Sequence, residues 1–379
     1  MSETNNLDYK STVENVQQNG LDYPDRTGEG RRRVFGGFER YDLSGYTLPA
    51  ETRTQLFLKT LTKEVFGFIK GSNLVKDLGE AFWSKWSPDE ESVDRFINEE
   101  IVSDWRAQNP DLPEEYADKL RKKLKAVYAE RIGSIGPMYG VMWRNFPRMD
   151  SSPMDWVTFE AIPSDKITAY KELFAIYIMQ AQCPEKNTEE HFKKFALEKF
   201  HTTFDQLAKV VHELKTNPYS SRHRVTAFHP DLIGSEKISP SENVIRGKAA
   251  LAPCHTFFQF MVTDDPNDRS IKKLNCMMYM SSSDVMVGRP YNICQYSLIT
   301  MMLAHCLGFE PGEFVLVSCD THIYPDHLEN SKKQMQRTPL PFPKVKINPE
   351  KRDFFSLTME DIVIEGYNHH EKIVYKAAV

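Results

Sequence analysis

The stretch "APCHTFFQF" (residues 252–260) places a cysteine at the mouth of an apolar run that is typical of a β-strand. Cys254 follows a proline and precedes His255, so it lies outside the run in which a structural cysteine would be buried. A cysteine is a nucleophile only as the thiolate, which needs a positive or hydrogen-bonding neighbourhood. Adjacent strand side chains point to opposite faces, so His255 is not automatically the base. Considered alone, such a cysteine is more often a structural thiol than a nucleophile.

Two further strand-like runs and one long apolar run follow this stretch. The strands are predicted at "LNCMMYMSS" (274–282) and "EFVLVSCDTHIY" (313–324). Between them, "NICQYSLITMMLAHCLGF" (292–309) predicts a buried helix over about 292–307, closed by Gly308. Polar residues interrupt this run, so it is not a membrane span. The pattern predicts an α+β fold in which a mixed β-sheet is covered by helices.

The N-terminal part of the chain predicts a helix, a basic turn "DRTGEGRRR" (25–33), a strand and a second helix. Apolar residues at helical spacing place the second helix at roughly 53–70, with Gly71 as its C-cap. Two charge-rich blocks, about 84–132 and 150–200, are typical of surface helices.

Composition and charge argue against several classes of protein. The chain has 379 residues and a formal net charge of −5, which argues against a nucleic-acid groove. The polar start "MSETNNLDYK" has no apolar signal-peptide region, and we expect no membrane span. The six cysteines are scattered without a CxxC pair, so we expect reduced thiols and no bound metal.

The run from "PCHTFFQF" through "MSSSDVMVGRPYN" to "CDTHIYPDH" resembles the thymidylate synthase family in order, spacing and residue type. "DRTG" (25–28), "GPMYG" (136–140) and the ending "YKAAV" (375–379) extend the resemblance to both termini. The two charge-rich blocks stand outside it and are interpreted as helical insertions in a single domain, residues 1–379. The resemblance implies a thymidylate synthase-like fold, a homodimer, and dUMP and 5,10-methylenetetrahydrofolate as substrates.

The resemblance also implies a role for each matching residue. Cys254 matches the nucleophile that adds to C6 of uracil, Glu64 the glutamate that orders water and moves protons, and Tyr139 a tyrosine of the proton-transfer network. The residues that match nucleotide-binding positions are Arg26, Arg222, Ser282, His322 and Tyr324. Those that match folate-side positions are Trp83, Asp284 and Gly288. Two alternatives stay open, with Trp83 as a buried core residue and Asp284 as a loop cap.

Asn292, in "RPYN", matches the residue that reads the base and completes the catalytic set. A side-chain amide both donates and accepts, so it accepts from uracil N3–H and donates to O4 at once. Cytosine reverses both groups, and each buried polar group left unpaired costs roughly 1–3 kcal/mol. The cytosine-specific hydroxymethylases of the family carry aspartate here. Asn292 therefore predicts a uracil nucleotide as substrate.

The sequence departs from the family pattern where the nucleotide phosphate is held. Ser221 and Ser281 stand at the positions of two phosphate-binding arginines. A serine hydroxyl does not replace a bidentate contact between arginine and phosphate. Arg224 and Arg289 are nearby in the sequence and are candidates to compensate from new directions.

On the folate side, Thr54 or Arg53 falls where the family has a lysine that meets the folate tail. The residues expected to contact the phosphate and the folate depart from the family pattern, whereas Cys254, Glu64, Tyr139 and Asn292 match it. This combination favours a dUMP hydroxymethylase, an enzyme typical of phages that replace thymine by hydroxymethyluracil. It adds water to give 5-hydroxymethyl-dUMP and tetrahydrofolate. Two alternatives remain, a thymidylate synthase that transfers hydride to give dTMP and dihydrofolate, and a non-catalytic nucleotide-binding paralogue. The expected location is the cytoplasm of a bacterium or of a phage-infected host.

Overall fold

Six strands form the main sheet of the computed structural model, which describes residues 8–25, 28–148, 187–200 and 203–377 and six single positions between 167 and 178. The strands are β1 (Leu21–Tyr23), β2 (Arg31–Asp42), β5 (Arg224–Thr226), β6 (His255–Asp264), β7 (Lys272–Asp284) and β8 (Glu310–Ile323). Their spatial order is β1-β2-β8-β7-β6-β5. Strands β7 and β8 are parallel, and the other neighbouring pairs are antiparallel. Two small antiparallel sheets pair β3 (Phe146–Pro147) with β4 (Thr203–Phe204), and β9 (Lys344–Ile347) with β10 (Ile362–Glu365).

Helices cover this sheet and form the blocks beside it. They are α1 (Tyr9–Asn19), α2 (Leu58–Ile69), α3 (Val75–Leu78), α4 (Glu80–Trp83), α5 (Glu90–Phe96), α6 (Ser103–Gln108), α7 (Glu114–Tyr128), α8 (Tyr139–Arg144), α9 (Glu189–Phe200), α10 (Gln206–Thr216), α11 (Pro240–Ile245), α12 (Gly288–Leu307) and α13 (Leu328–Met335). A π-helical turn (Ile97–Val102) joins α5 to α6. The predicted mixed sheet with covering helices is confirmed.

The predicted apolar helix is α12, and it makes the connection that a parallel pair of strands requires. It begins at Gly288 rather than near 292, and Gly308 ends it in the left-handed conformation with φ 72°. Every residue from 293 to 305 is buried, as expected for a helix that is apolar on all sides. Among the described residues, no helix is both long enough and apolar enough to cross a membrane.

The second predicted helix, roughly 53–70, begins later than expected, at Leu58. The preceding residues bond to the C-terminal part of the chain instead. The Tyr367 hydroxyl donates to the Glu51 carbonyl (2.8 Å) and accepts the Leu56 N–H (2.8 Å). The Ile373 N–H donates to the Thr54 hydroxyl (2.8 Å). Because these distant partners satisfy polar groups of the segment, it stays extended up to the start of α2.

The first charge-rich block forms α5, the π-helical turn, α6 and α7 around a small core of its own. The buried side chains of this core are Val93, Ile97, Val102, Ala117 and Ile245 of α11. Next to α11, Arg246 forms two hydrogen bonds with Glu100 (2.6 and 2.7 Å), which ties the block to the rest of the protein. The predicted helices are confirmed, and their origin as an insertion remains a prediction.

The second charge-rich block, 150–200, lies mostly outside the described residues. Its described part contains α9 and six single helical positions between 167 and 178. The buried side chains there are Phe174, Ile178, Phe192 and Ala196, which pack together. The helical prediction holds for these residues.

Candidate active site

Side chains from the carboxyl ends of β7 and β8 lie next to each other. In the parallel register Ser282 pairs with Asp320, and Asp284 pairs with His322. The start of β2 extends this row, because Arg33 pairs with His322. The predicted residues of two distant motifs therefore meet at one end of the sheet.

Cys254 reaches the same end of the sheet from the start of β6. Its N–H donates to the Tyr139 hydroxyl (3.1 Å), and its carbonyl accepts the Ser281 N–H (2.8 Å). The residue is partly exposed. Cys276 and Cys294 are buried, and burial raises the pKa of both thiols. Cys254 therefore occupies an accessible position that suits a nucleophile better than these buried positions do.

Tyr139 begins α8 with a strained backbone. Its φ of 34° lies in the left-handed region, which residues other than glycine rarely adopt. The neighbouring Gly140 permits close packing, since a Cβ there would lie 2.7 Å from the Phe68 carbonyl oxygen. Strain of this kind persists where the surrounding structure fixes it, which is common at functional sites. Here the fixed backbone aims the tyrosine hydroxyl at Cys254.

His255 follows Cys254 in the sequence but is not arranged to act as its base. The imidazole is buried, stacks on the Tyr139 ring with centroids 3.7 Å apart, and forms a 2.6 Å hydrogen bond between Nδ1 and the Tyr296 hydroxyl. Burial lowers the pKa of His255 to about 3, so the ring is neutral near pH 7. Its position supports the sequence argument that Cys254 and His255 point in different directions.

Glu64, on α2, is held by two N–H donors. The Trp83 indole donates to Oε1 (2.5 Å), and the side-chain amide of Gln295 donates to Oε2. Burial raises the pKa of Glu64 to about 7, although both hydrogen bonds act in the opposite direction. A carboxyl group with such a pKa gains and loses protons readily near neutral pH, which suits general acid–base catalysis.

Asn292 joins the same network through Gln295. Its Nδ2 donates to Oε1 of Gln295 (3.1 Å), one turn further along α12. Gly288 begins this helix, and a Cβ there would lie 3.5 Å from Oδ1 of Asn292. Gln295 is absent from the predicted site residues. The sequence could have indicated it, because a polar side chain stands inside an apolar helix one turn after Asn292, the residue proposed to recognise the base.

Trp83 and Asp284, the two residues with open alternatives, both make structural contacts. The Trp83 ring is buried and lies edge-on to the Tyr139 ring with centroids 6.2 Å apart. Oδ1 of Asp284 accepts the N–H groups of Met286 and Val287 (3.0 and 3.2 Å), and burial raises the pKa of this carboxyl group. These contacts use one carboxylate oxygen of Asp284. A folate contact for both residues remains a prediction.

His322 and Tyr324 lie together at the end of β8, with ring centroids 5.3 Å apart. Beside them, Oδ2 of Asp320 accepts from the Ser282 hydroxyl (3.3 Å) and from Nη1 of Arg31 (2.9 Å). Arg31 belongs to the stretch predicted as a turn, which ends earlier because its last residues start β2. Among the described residues, no group of histidine, cysteine and acidic side chains is arranged to hold a metal ion.

The sequence matches a known family over nearly its whole length. A family model for thymidylate synthase matches residues 7–379. The chain belongs to the thymidylate synthase family. This family transfers a one-carbon unit from methylenetetrahydrofolate to dUMP, and membership supports folate-dependent one-carbon transfer for this chain. The thymidylate synthase-like fold implied by the resemblance is confirmed.

The arginines that the thymidylate synthase pattern assigns to the phosphate differ in their placement. Arg26 lies outside the described residues. Arg222 is exposed on the loop before β5. Arg224 is exposed on β5 itself, and its Nε donates to the Ser221 carbonyl (3.2 Å). Ser281, which the resemblance predicts to stand at the position of a family arginine, turns its hydroxyl toward the Cys254 carbonyl (3.3 Å).

Arg289 is not placed to bind the nucleotide phosphate. Its guanidinium is fully buried and bonds Glu39 (2.6 Å), a carboxylate that is also fully buried. Three further N–H groups donate to hydroxyl groups, those of Ser283, Ser318 and Thr321. The expectation that Arg289 binds phosphate is therefore wrong. Its charge is neutralised inside the core, between α12 and β2.

We expect Arg289→Ala to lower the free energy of unfolding by about 3–5 kcal/mol, because it leaves the Glu39 carboxylate buried without a partner. Denaturant titration measures this change. The matched control is Arg40→Ala, since the ion pair of Arg40 with Glu313 (2.7 Å) is 42% exposed on both sides. Exposed pairs contribute about 0–1 kcal/mol. Equally small effects of both variants would contradict the buried role of Arg289.

The C-terminal segment of this thymidylate synthase family member packs against α13. The Tyr375 hydroxyl donates to Oε1 of Gln334 (2.9 Å), and its ring lies edge-on to His327. Nη1 of Arg337 donates to the Glu371 carbonyl (2.6 Å). The last two residues of "YKAAV" lie outside the described part of the chain. The segment is anchored next to the residues before α2, where Thr54 accepts a bond from it.

Proposed function

We propose that this chain is a dUMP hydroxymethylase, which transfers the one-carbon unit of 5,10-methylenetetrahydrofolate to uracil C5 and adds water to give 5-hydroxymethyl-dUMP. The observation that supports catalysis on dUMP is the connected group formed by Cys254, Tyr139, Glu64 and Asn292. A non-catalytic nucleotide-binding protein would have no need of this arrangement. The proposal that water rather than hydride is added rests on the residues around this group, which depart from the family pattern at the folate and phosphate positions.

In the proposed reaction, the Cys254 sulfur adds to C6 of uracil and gives C5 the character of a carbanion. The Tyr139 hydroxyl holds the backbone of the nucleophile by accepting its N–H (3.1 Å). C5 then bonds to the methylene carbon of the folate and loses its proton. Glu64 orders water and moves protons beside the base, which a pKa near 7 favours.

The last step decides between water and hydride. When tetrahydrofolate leaves, an electrophilic methylene group remains on C5, and Glu64 can take a proton from the water that attacks it. The Cys254 thiolate then leaves C6, which restores the C5–C6 double bond and frees the product. Arg53, which falls near the folate-tail position, is 8% exposed and bonds both carboxylate oxygens of Glu51 (3.0 and 3.3 Å). Its charge is thus already paired. We propose that a folate held by fewer charged contacts leaves before it delivers hydride, so that water is added instead.

We propose that the nucleotide phosphate binds near Ser282, with Arg31 as a source of positive charge. In the structure Oδ2 of Asp320 accepts from both side chains (3.3 and 2.9 Å), so we propose that the phosphate displaces this carboxylate from Arg31 when the nucleotide binds. A guanidinium group binds phosphate by charge-assisted hydrogen bonds. In this arrangement Arg31 on β2 takes the role of the arginine that is absent at Ser281 on β7. His322 and Tyr324 are proposed to form hydrogen bonds with the sugar hydroxyl.

The homodimer is proposed to form on the open face of the main sheet. Arg224, Gln259 and Met277 are directly paired across β5, β6 and β7, so their side chains share a face. Met277 is 49% exposed there, and Met261 on β6 is 55% exposed. Large exposed apolar patches mark interaction sites. The exposed arginines beside this face are then positioned to serve the partner subunit, as the resemblance implies for Arg222.

We expect sedimentation velocity to give the mass of two chains, and Met277→Lys to shift it toward the mass of one chain. A lysine at the centre of the apolar face would be desolvated without a partner, which is unfavourable. Tyr116→Lys is the matched control, because this α7 residue is 50% exposed but lies away from the sheet. A single-chain mass for the unaltered protein would remove the basis for the dimer.

The products of the reaction test the proposed function directly. A dUMP hydroxymethylase converts dUMP and methylenetetrahydrofolate into 5-hydroxymethyl-dUMP and tetrahydrofolate. A thymidylate synthase gives dTMP and dihydrofolate from the same substrates. Identification of the nucleotide and the folate after turnover separates the two.

A further inference from the structure

Gln295 lies between the residue proposed to read the base and the residue proposed to move protons. Its side chain is 3% exposed, and both ends of its amide are used. Nε2 donates to Oε2 of Glu64, and Oε1 accepts from Nδ2 of Asn292 (3.1 Å). An amide presents a donor at one end and an acceptor at the other. When a buried amide is bonded at both ends, the donor or acceptor role of one partner therefore fixes the role of the other.

Trp83 and the ionised carboxylate of Glu64 together set the direction of this chain of hydrogen bonds. An indole N–H only donates, so Oε1 of Glu64 must accept it. In the ionised carboxylate Oε2 also only accepts, and Gln295 must turn Nε2 toward it. The carbonyl end of Gln295 then faces Asn292, which must donate from Nδ2.

The resulting orientation of Asn292 is the one that fits uracil. Nδ2 carries a second hydrogen for uracil O4, and Oδ1 accepts from N3–H. A reversed Asn292 amide would fit cytosine, which offers an acceptor at N3 and an amino group at C4. A reversed Gln295 would force this reversal, since its Nε2 would then face Asn292.

We infer that Gln295 is a positioning residue that couples the ionised state of Glu64 to the uracil-reading orientation of Asn292. The inference rests on the proposed function, in which Asn292 reads the base. The hydroxyl groups of Tyr139 on α8 and Tyr291 on α12 interact electrostatically with Glu64. Burial raises the pKa of both, so they remain neutral and the charge at this point of the network is that of Glu64.

Glu64→Gln tests the coupling, because it changes a hydrogen-bonding group and preserves the shape. The new amide must accept the Trp83 N–H with its oxygen, so its nitrogen faces Gln295. Gln295 then turns its oxygen to residue 64 and its nitrogen to Asn292, which is the arrangement for cytosine. Titration calorimetry without folate measures Kd for dUMP and dCMP at a pH well above 7, where Glu64 of the unaltered protein is ionised. We expect the preference for dUMP over dCMP to fall by at least about tenfold, because two buried hydrogen bonds change their match.

Gln295→Met is the second variant of this experiment, because it removes the amide and keeps an unbranched side chain. Asn292 is then free of this constraint, and the preference for dUMP should narrow. Adding Glu64→Gln to this background should change the preference by less than about twofold, as for sites that are no longer coupled. A purely structural role of Gln295 would weaken both nucleotides equally and leave their ratio unchanged.

The outcomes separate this inference from the proposed function. An unchanged ratio in Glu64→Gln, or the same shift with and without Gln295, would overturn the coupling and leave the proposed function intact. Equal weakening of both nucleotides, with an unchanged ratio, also counts against the coupling. An unaltered protein that binds dCMP as tightly as dUMP would overturn the proposed function itself.

Discussion

Cys254→Ser abolishes the turnover of dUMP in the proposed mechanism and leaves the fold intact. A serine hydroxyl is far less nucleophilic at neutral pH than a thiolate, so the bond to C6 does not form. Loss of the nucleophile from a covalent mechanism lowers kcat by a factor on the order of 10³ or more. We expect a loss of at least this size in the release of tritium from dUMP labelled at C5, with methylenetetrahydrofolate present.

The matched control for this substitution is Cys306→Ser. Cys306 is also partly exposed, but it lies near the end of α12, and burial raises the pKa of its thiol to about 11. The control should therefore keep its activity. Backbone groups of Cys254 make the bonds to Tyr139 and Ser281, so the melting temperature of Cys254→Ser should be unchanged. Turnover at a near-normal rate in this variant would remove Cys254 from the mechanism.

The elements with strong periodicity could be predicted because their pattern is local. The three apolar runs form β6, β7 and β8, and the long apolar segment forms α12. The start of α2 could not be predicted in this way. It depends on bonds from Tyr367 and Ile373 to the residues that precede the helix, and these partners are distant in the sequence.

The motifs predicted candidate residues of the site, but they did not show what each side chain contacts. Arg289 stands next to a motif of the nucleotide site, yet it bonds Glu39, 250 positions away in the sequence. No local pattern reveals that a buried carboxylate lies opposite this arginine. Gln295 is the converse case, a polar residue in an apolar helix whose partners come from α2 and from its own helix. Long-range side-chain contacts of this kind became visible only in the folded chain.

The oxidation state of the folate is the second large expected difference. We expect release of tritium from C5-labelled dUMP without formation of dihydrofolate, and a nucleotide product heavier than dTMP by one oxygen. Both candidate reactions begin with the bond between Cys254 and C6 and lose the same C5 proton. Tritium release therefore measures turnover and cannot distinguish the two products.

The distinction arises after tetrahydrofolate separates from the methylene group on C5. Hydride transfer oxidises tetrahydrofolate to dihydrofolate, which absorbs more strongly in the near ultraviolet, whereas water addition leaves the folate reduced. In water labelled with heavy oxygen, the label should enter the hydroxymethyl group, because Glu64 is proposed to activate a solvent molecule. Mass spectrometry detects this label directly. A stoichiometric yield of dihydrofolate with unlabelled dTMP would show that this centre delivers hydride, and the chain would then be a thymidylate synthase.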